Sequence, residues 1–96
     1  MRHKIIAGNW KMHKSAQETA AFLDNLITEM PEGKEAEVIV APSFTNLMLA
    51  AQILEGTNIA VAAQNMHQAE GGAFTGEISA DMLTSIGVNT VILGHS

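Results

Sequence analysis

The sequence predicts an α/β fold built on a parallel sheet, and three observations carry this prediction. Four short apolar runs alternate with three amphipathic segments of helical period, in a strand, helix, strand order that begins and ends with a strand. Each run is apolar throughout, which is typical of parallel strands covered on both faces. The helical segments stand where parallel strands need their crossover connections. No linker or low-complexity tract interrupts residues 1–96, so we expect a single domain.

The first predicted strand, residues 5–7, leads directly into a group of polar residues. Gly8 is followed by the amide of Asn9, the indole of Trp10 and the ammonium of Lys11. In parallel α/β proteins ligands bind where the strands end, which makes Asn9 and Lys11 candidate site residues. A tight bend at Gly8 followed by a solvated lysine explains the same stretch equally well, and the stretch alone does not decide between the two.

The first predicted helix begins at a capping box and ends before the second strand. Ser15 and Glu18 have the S-x-x-E spacing in which each side chain accepts from the other residue's backbone N–H. A Pro-Glu-Gly stretch at residues 31–33 ends the helix, and residues 38–41 form a second buried strand closed by Pro42. The apolar residues of the helix recur at helical spacing: Phe22, Leu23, Leu26, Ile27 and Met30.

The second predicted helix precedes a strand of small residues. Ser43 or Thr45 is expected to cap this helix, and Gly56 is expected to be the left-handed residue after its end. Its apolar stripe consists of Leu47, Ala50, Ala51 and Leu54. The third strand, residues 59–63, is rich in alanine, so bulky side chains from other elements must pack against it.

A long polar segment, residues 64–77, separates the third strand from the third helix. Loops of more than about 12 residues are uncommon in compact domains and are usually functional or disordered. Ser79 is expected to cap the short helix that follows, and Gly87 to end it. Residues 90–93 form the fourth predicted strand, and His95 follows it.

Two parallel architectures are compatible with this order of elements. A doubly wound sheet carries helices on both faces, whereas a (β/α)₈ barrel carries them outside and fills its interior with side chains. No helix follows the fourth strand, which would leave an exposed sheet edge and an uncovered apolar face. We therefore expect other chains, or a longer protein, to complete the fold.

Composition excludes several classes of protein. Hydrophobic residues make up 47% of the chain, with only three Phe and one Trp, so the core must be aliphatic. The formal charge of −5 at pH 7, without a basic stripe, argues against nucleic-acid and membrane-surface binding. The absence of cysteine suits a cytoplasmic protein. The sequence contains no secretory signal pattern, no apolar run of ~18 residues and no metal-ligand spacing.

Three predicted strand ends carry polar residues that converge on one rim of a parallel sheet. Asn9 and Lys11 follow the first strand, Gln64 and Asn65 the third, and His95 the fourth. A neutral amide, a cation and an imidazole together suit chemistry on a phosphorylated or carbonyl-bearing anion. Taken singly, each of these residues is explained better by an ordinary structural role than by catalysis. The other histidines, His3, His13 and His67, are expected at the surface.

Four blocks of the sequence together resemble triosephosphate isomerase. The blocks are residues 7–12 (AGNWKM), 63–65 (AQN), 72–77 (GAFTGE) and 91–96 (VILGHS). They occur in the family's order and spacing and cover nearly the whole chain from residue 5. The resemblance implies the N-terminal part of a (β/α)₈ barrel of ~250 residues. It also weakens the doubly wound reading, for which the Gly-x-Gly-x-x-Gly pattern is missing.

The resemblance implies a reaction and a role for each matched residue. The family interconverts dihydroxyacetone phosphate and D-glyceraldehyde 3-phosphate through an enediolate, in glycolysis and gluconeogenesis, without a cofactor or metal. His95 would be the neutral electrophile that polarises the carbonyl, a role for which this enzyme is an established example. Lys11 would stabilise the enediolate charge, and Asn9 would donate a hydrogen bond to substrate. The family is a homodimer, in which Phe74 and Thr75 would reach the partner beside its active site.

The resemblance also implies what these four strands lack. The general base of the family is a glutamate after the sixth strand, and the phosphate is held mainly by backbone amides after strands six to eight. We therefore expect the 96 residues alone to be inactive. The alternative is a half-barrel that acts as a non-catalytic binding or assembly module.

Overall fold

The computed structural model describes residues 4–29 and 36–92. Its strands are β1 (Lys4–Asn9), β2 (Ala36–Ala41), β3 (Ile59–Ala63) and β4 (Thr90–Val91). Its α-helices are α1 (Ala16–Glu29), α2 (Leu47–Ile53) and α3 (Ala80–Ser85), and a 3₁₀ turn (Phe44–Asn46) precedes α2. Met30, the proline–glycine stop of the first helix, and the end of the fourth predicted strand at residue 93 lie outside the described residues.

Within the described residues, four parallel strands form one sheet in the order β1-β2-β3-β4. The register aligns Ile6 with Val38, and Val38 in turn with Ile59, so these side chains share one face of the sheet. At the other end, Ala63 is aligned with Val91. Strands that follow each other along the chain are also neighbours in space, which confirms the predicted α/β fold with parallel strands.

The three helices pack on the same face of the sheet. One core cluster joins Leu23 of α1 and Ala50 of α2 to Val40 and Ile59 of the sheet. A second joins Leu47 of α2 and Leu83 of α3 to Ala63 and Val88. The small Ala63 side chain is thus covered by two leucines, as the alanine-rich strand predicts. Across the two clusters, six residues are at most 2% exposed: Leu23, Leu47, Ala50, Ala63, Leu83 and Val88.

Sequential strands with helices on one face are the arrangement of a barrel wall rather than of a doubly wound sheet. In a doubly wound sheet the strand order reverses, and helices then cover both faces. Here the opposite face, which carries Ala7, Ile39 and Ala60, has no place in either core cluster. The observed architecture is therefore that of the N-terminal part of a (β/α)₈ barrel.

The prediction that the strands are buried on both faces is wrong for these residues. Ala7 and Ala60 are exposed and Ile39 is half-buried, whereas Ala41 and Ala62, further along the same face, are at most 1% exposed. Burial of this face is therefore confined to the carboxyl ends of β2 and β3. Ile6 lies on the helix-covered face but is 55% exposed, since it stands on the outermost strand and outside the cluster formed by α1 and α2. An uninterrupted apolar run therefore predicts a parallel strand correctly, but it does not predict how much of that strand is buried by residues 4–29 and 36–92.

The predicted start is correct for α1, and both predicted ends are correct for α3. The Ser15 backbone N–H donates to Glu18 Oε1 at 2.8 Å, and the Glu18 N–H donates to Ser15 Oγ at 3.3 Å, which completes the capping box. Hydrogen bonding of the Glu18 carboxylate to the Ser15 backbone N–H, and next to the Ser15 side chain, holds the pKa of Glu18 below its usual value. Ser79 Oγ accepts from the Met82 N–H at 3.2 Å at the start of α3.

The end of α3 shows why Gly87 is needed there. Its φ is +84°, and its N–H donates to the Thr84 carbonyl while the Val88 N–H reaches back to the Leu83 carbonyl. This pair of bonds is the Schellman arrangement, which requires a left-handed residue at the position of Gly87. Val88 and Leu83 then pack in the same core cluster.

The ends predicted for the second helix need correction. Ser43 precedes the 3₁₀ turn without a capping hydrogen bond from its side chain, and Thr45 lies inside that turn. Asn46 stands at the N-cap of α2, but its side chain bonds elsewhere. Gly56 is left-handed, with φ +82°, yet lies two residues beyond the C-cap Leu54. The Asn46 side chain donates to the Lys14 carbonyl and to Ser43 Oγ and makes no capping bond at the start of this helix.

Candidate active site at the carboxyl ends of the strands

Asn9 and Lys11 are held together at the carboxyl end of β1. The Lys11 backbone N–H donates to Asn9 Oδ1 at 2.9 Å, and the Trp10 N–H donates to the Ala41 carbonyl at the end of β2. Lys11 has a φ of +55°, in the left-handed region that a side chain with a β-carbon rarely adopts. Its side chain is exposed, whereas Trp10 is 9% exposed. The turn therefore buries the indole and leaves the ammonium at the rim.

Gln64 ties the ends of three strands together. It follows β3, and its Nε2 donates to the Lys11 carbonyl at 2.9 Å and to the Ala41 carbonyl at 2.8 Å. The side chain therefore crosses the end of β2 to reach the turn after β1. A backbone in the left-handed region costs on the order of 1 kcal/mol for a residue with a β-carbon, and persists where its surroundings impose it. The bond from Gln64 is one such restraint on Lys11.

A second amide side chain, which is buried, holds the turn further along. Asn46 is 1% exposed, and its Nδ2 donates to the Lys14 carbonyl at 2.9 Å and to Ser43 Oγ at 3.1 Å. Lys14 is also left-handed, with φ +81°. Its ammonium lies 4.7 Å from the ring centroid of Phe22 and 5.5 Å from that of Trp10. Lys14 is thus held over an aromatic pair, while the nearby Lys11 stays at the rim.

The predicted rim is assembled for the residues of the first and third strands. Asn9, Lys11 and Gln64 come together through the contacts above, and Asn65 is exposed next to Gln64. His95 lies outside the described residues, so its place on this rim remains a prediction from the sequence. Among the described part of the chain, no three His, Asp or Glu side chains stand close enough together to hold a metal ion.

The long segment after β3 forms a loop whose two ends are hydrogen-bonded to each other. The His67 backbone N–H donates to the Ile78 carbonyl at 2.6 Å, and His67 forms a parallel bridge with Ser79. Phe74 is 48% exposed, and Thr75 is exposed beside it. The Glu77 N–H donates to the Phe74 carbonyl at 3.1 Å. The loop therefore presents Phe74 and Thr75 outward from a base fixed near α3.

His67 corrects the expectation that it is a plain surface residue. It is half-buried, its Nδ1 accepts from the Ala69 N–H at 3.1 Å, and its ring lies 4.3 Å from that of Phe74. His13, by contrast, is exposed as expected, and His3 lies outside the described residues. No sequence signal separates these histidines, because the contact of His67 with Phe74 depends on how the loop folds.

A cavity of about 410 Å³ opens at the opposite end of the sheet, where β3 and β4 begin. Its wall includes Ile59 and Thr90 from the two strands and Glu55 from the turn after α2. None of the residues predicted for the site lines it. Since ligands of parallel α/β folds bind at the carboxyl ends of the strands, the rim around Asn9 and Lys11 is the better candidate site.

Comparison with known proteins bears on the whole length of the chain. The family model described as triosephosphate isomerase matches residues 4–96. The chain is 68% identical over 96 residues to the triosephosphate isomerase of Flavobacterium johnsoniae and 64% identical to that of Flavobacterium psychrophilum. It is 51% identical to the triosephosphate isomerase of Caldanaerobacter subterraneus subsp. tengcongensis. In each case the match covers 100% of this chain and 38% of the relative's length.

Within the part of the chain that the structure describes, no helix combines the length and apolarity needed to cross a membrane. The sequential parallel strands, the rim at their carboxyl ends and the match over residues 4–96 lead to one conclusion. The chain belongs to the triosephosphate isomerase family and spans about 38% of the length of the curated relatives it matches.

Proposed function

We propose that this chain supplies the Asn9–Lys11–His95 part of a triosephosphate isomerase active site. The observation that carries the proposal is the Lys11 turn, whose left-handed backbone is restrained by Asn9 and Gln64 at the carboxyl ends of the strands. A cation carried on a restrained backbone at this rim suits the charge that develops on an enediolate oxygen, because groups placed in advance stabilise such charge without reorganising. The substrate would be a triose phosphate.

Each site residue has a distinct role in this proposal. Lys11 attracts the phosphate dianion and stabilises the enediolate, and Asn9 orients the substrate oxygen. His95 acts as neutral electrophile and passes a proton between the two oxygens. The general base is a glutamate that the resemblance places after the sixth strand, so the 96 residues are expected to have no turnover by themselves. Neither a metal nor an organic cofactor takes part in this scheme.

The complete enzyme would be a cytoplasmic homodimer. Phe74 supports this part of the proposal, since an aromatic side chain that is 48% exposed at a loop tip is a suitable anchor for a pocket on a second copy. Thr75 would then stand beside the partner's Asn9 and Lys11. Replacing Phe74 with Asp would weaken the dimer and lower activity with it.

The function is tested by joining the complete chain to the remaining residues of the F. johnsoniae relative, which it matches over 38% of that protein. This chimera should interconvert the two triose phosphates, and His95→Gln should lower kcat by ~10²-fold or more, the usual effect of losing a proton-transfer group. Lys11→Met should lower kcat by at least as much as His95→Gln does. The matched control is Lys14→Met, which removes an ammonium of the same turn that lies over Phe22 and should change kcat only slightly.

Three results would contradict the proposal. The first is a chimera that folds as a dimer but does not turn over triose phosphates, which would favour a binding or assembly module. The second is a Lys11→Met variant as active as Lys14→Met. The third is measurable turnover by the 96 residues alone that His95→Gln abolishes, which would show that no further general base is required.

A further inference from the structure

Phe74 is held against the loop that carries it. Its ring centroid lies 4.3 Å from that of His67, with the two planes inclined by 30°. Gly72 lies against the same ring, since a β-carbon at that position would come within 3.2 Å of Phe74 Cε2. About half of the Phe74 side chain nevertheless remains exposed. The Phe74 ring is thus packed against its own loop on one side, and the rest of the ring is exposed and can contact another molecule.

His67 is itself fixed by two hydrogen bonds. Its backbone N–H donates to the Ile78 carbonyl, which closes the base of the loop. Its Nδ1 accepts from the Ala69 N–H at 3.1 Å. A backbone N–H can only donate, so Nδ1 carries no proton and the neutral ring carries its proton on Nε2. This bond defines the orientation of the imidazole, against which the Phe74 ring packs.

The same residues enclose a small cavity of about 80 Å³. Its wall includes His67, Gly72 and Phe74 from the loop, and Met82 from α3. Met82 is 54% exposed, so it extends the apolar surface of Phe74 onto the helix. The loop tip and the first turn of α3 therefore face one shared cavity, whose wall also includes Glu77 and Ser79, and His67 lines it beside Phe74.

We propose that His67 is the positioning residue of the dimer contact, holding Phe74 in the orientation that a second copy of the chain binds. The inference rests on the proposed homodimer and goes beyond it by naming what preorganises the anchor. Association must immobilise every side chain that is still mobile in the free subunit, and prior fixing of the anchor removes that cost. Loss of one such restraint corresponds to roughly a tenfold weaker dimer.

Three substitutions at one position separate the two contacts that His67 makes. His67→Asn keeps an acceptor for the Ala69 N–H, in an Asx-type turn, but loses the stacked ring. His67→Phe keeps a ring against Phe74 but loses the acceptor. His67→Leu loses both. Gln68→Leu is the matched control, because it places the same apolar residue at the adjacent, exposed position of the loop.

The measurements are the dimer dissociation constant and the concentration dependence of specific activity, both made on the chimera with the F. johnsoniae relative. His67→Leu should raise the dissociation constant ~10-fold, with His67→Asn and His67→Phe intermediate and Gln68→Leu close to the unsubstituted chimera. Specific activity of His67→Leu should fall at low protein concentration and return to the unsubstituted value once the dimer is saturated. Nitrogen-15 NMR of the unsubstituted chimera should show an unprotonated Nδ1 on His67.

The outcomes distinguish this inference from the proposed dimer. If Phe74→Asp separates the subunits while His67→Leu leaves the dissociation constant unchanged, the dimer contact stands and the role of His67 is overturned. If neither variant changes it, the loop is not the dimer contact and both proposals fail. A loss of activity that saturating concentration does not restore would also overturn the positioning role. If His67→Leu does not fold, two other results can still contradict the positioning role. One is an unchanged dissociation constant in both His67→Asn and His67→Phe, and the other is a proton on Nδ1 of His67.

Discussion

The turn after β1 and the loop after β3 both present residues of the proposed enzyme, but they are held in different ways. The turn depends on side chains that are distant in sequence, since Gln64 lies 53 residues from Lys11 and Asn46 lies 32 residues from Lys14. The loop is closed by contacts between nearby residues, the His67 hydrogen bond to Ile78 and its bridge with Ser79. At the base of the loop, Met66 and Ile78 also pack against the second core cluster. The proposed chemistry therefore depends on the assembled sheet, whereas the proposed dimer contact depends on one local segment.

This difference has a physical consequence for variants. Removing a distant restraint on the turn leaves buried polar groups without partners and should destabilise the whole sheet end. Removing a local restraint on the loop affects few buried groups and should act mainly on association. Asn46→Asp and Gln64→Leu test the turn, and the smaller effects of Ser79→Ala and Glu18→Gln measure local contacts at helix starts for comparison.

Asn46→Asp is expected to have the largest effect. The substitution places a carboxylate oxygen against the Lys14 carbonyl, at a position that is 1% exposed, where a donor stood before. An uncompensated buried charge costs ~3–5 kcal/mol of unfolding free energy. Denaturant unfolding of the chimera at neutral pH measures this loss. Asn25→Asp, which adds the same charge on the exposed face of α1, should change stability by no more than ~0.5 kcal/mol. Equal losses in the two variants would contradict the account.

Gln64→Leu should have the next largest effect. It removes both hydrogen bonds from Nε2 and leaves the Ala41 carbonyl with one donor fewer at a partly buried position. The expected loss is ~1–3 kcal/mol of unfolding free energy, together with lower kcat because Lys11 is less restrained. Gln17→Leu, at an exposed position of α1, is the matched control for the same chemical change. Unchanged kcat in Gln64→Leu would show that the turn holds its shape without that side chain.

Ser79→Ala tests the start of α3, and the expected loss of stability is smaller than that of Gln64→Leu. It removes the acceptor for the Met82 N–H, and the loss of a capping side chain costs ~1 kcal/mol. Thermal unfolding of the chimera would report it as a lower Tm. Ser85→Ala is the comparison, because that hydroxyl donates to the Met82 carbonyl at the exposed carboxyl end of α3 and accepts from no N–H at the helix start. A larger loss from Ser85→Ala would mean that capping does not set the stability of this helix.

The smallest effect is expected from the Glu18 carboxylate. Its pKa is lowered chiefly by the Ser15 backbone N–H, so its contribution to stability is present above the ordinary value of 4.5 and is lost as the pH falls through the lower folded-state value. Glu18→Gln keeps the capping-box acceptor without the charge. The stability difference between the two proteins should therefore shrink as the pH falls below 4.5. If the stability difference between the two proteins does not change with pH, the charge of Glu18 does not contribute to stability.

The sequence predicted the features that depend on neighbouring residues. The capping residues Ser15, Glu18 and Ser79 were correct, and so was Gly87, because their bonds join groups at most a few residues apart. The parallel strands followed from apolar runs spaced by helices. The start of α2 was predicted wrongly, because tertiary bonds engage the Asn46 side chain that propensity would assign to a cap.

Features that depend on distant contacts could not be predicted in this way. Gln64 was expected on the rim, but its bond to the Lys11 carbonyl requires three strand ends to be in register. The left-handed backbones of Lys11 and Lys14 have no glycine to indicate them. The stacking of His67 on Phe74 needs the loop to be closed first. In each case the missing information is three-dimensional, since a single sequence gives the groups but not their partners.

Amide hydrogen exchange on the Gln64→Leu chimera tests the division between turn and loop most directly. The Lys11 and Trp10 amides belong to the turn, and the His67 amide closes the loop through the Ile78 carbonyl. The account predicts that Gln64→Leu accelerates exchange at Lys11 and Trp10 several-fold more than at His67. Equal acceleration at all three amides would contradict it, because the turn and the loop would then open as a single unit.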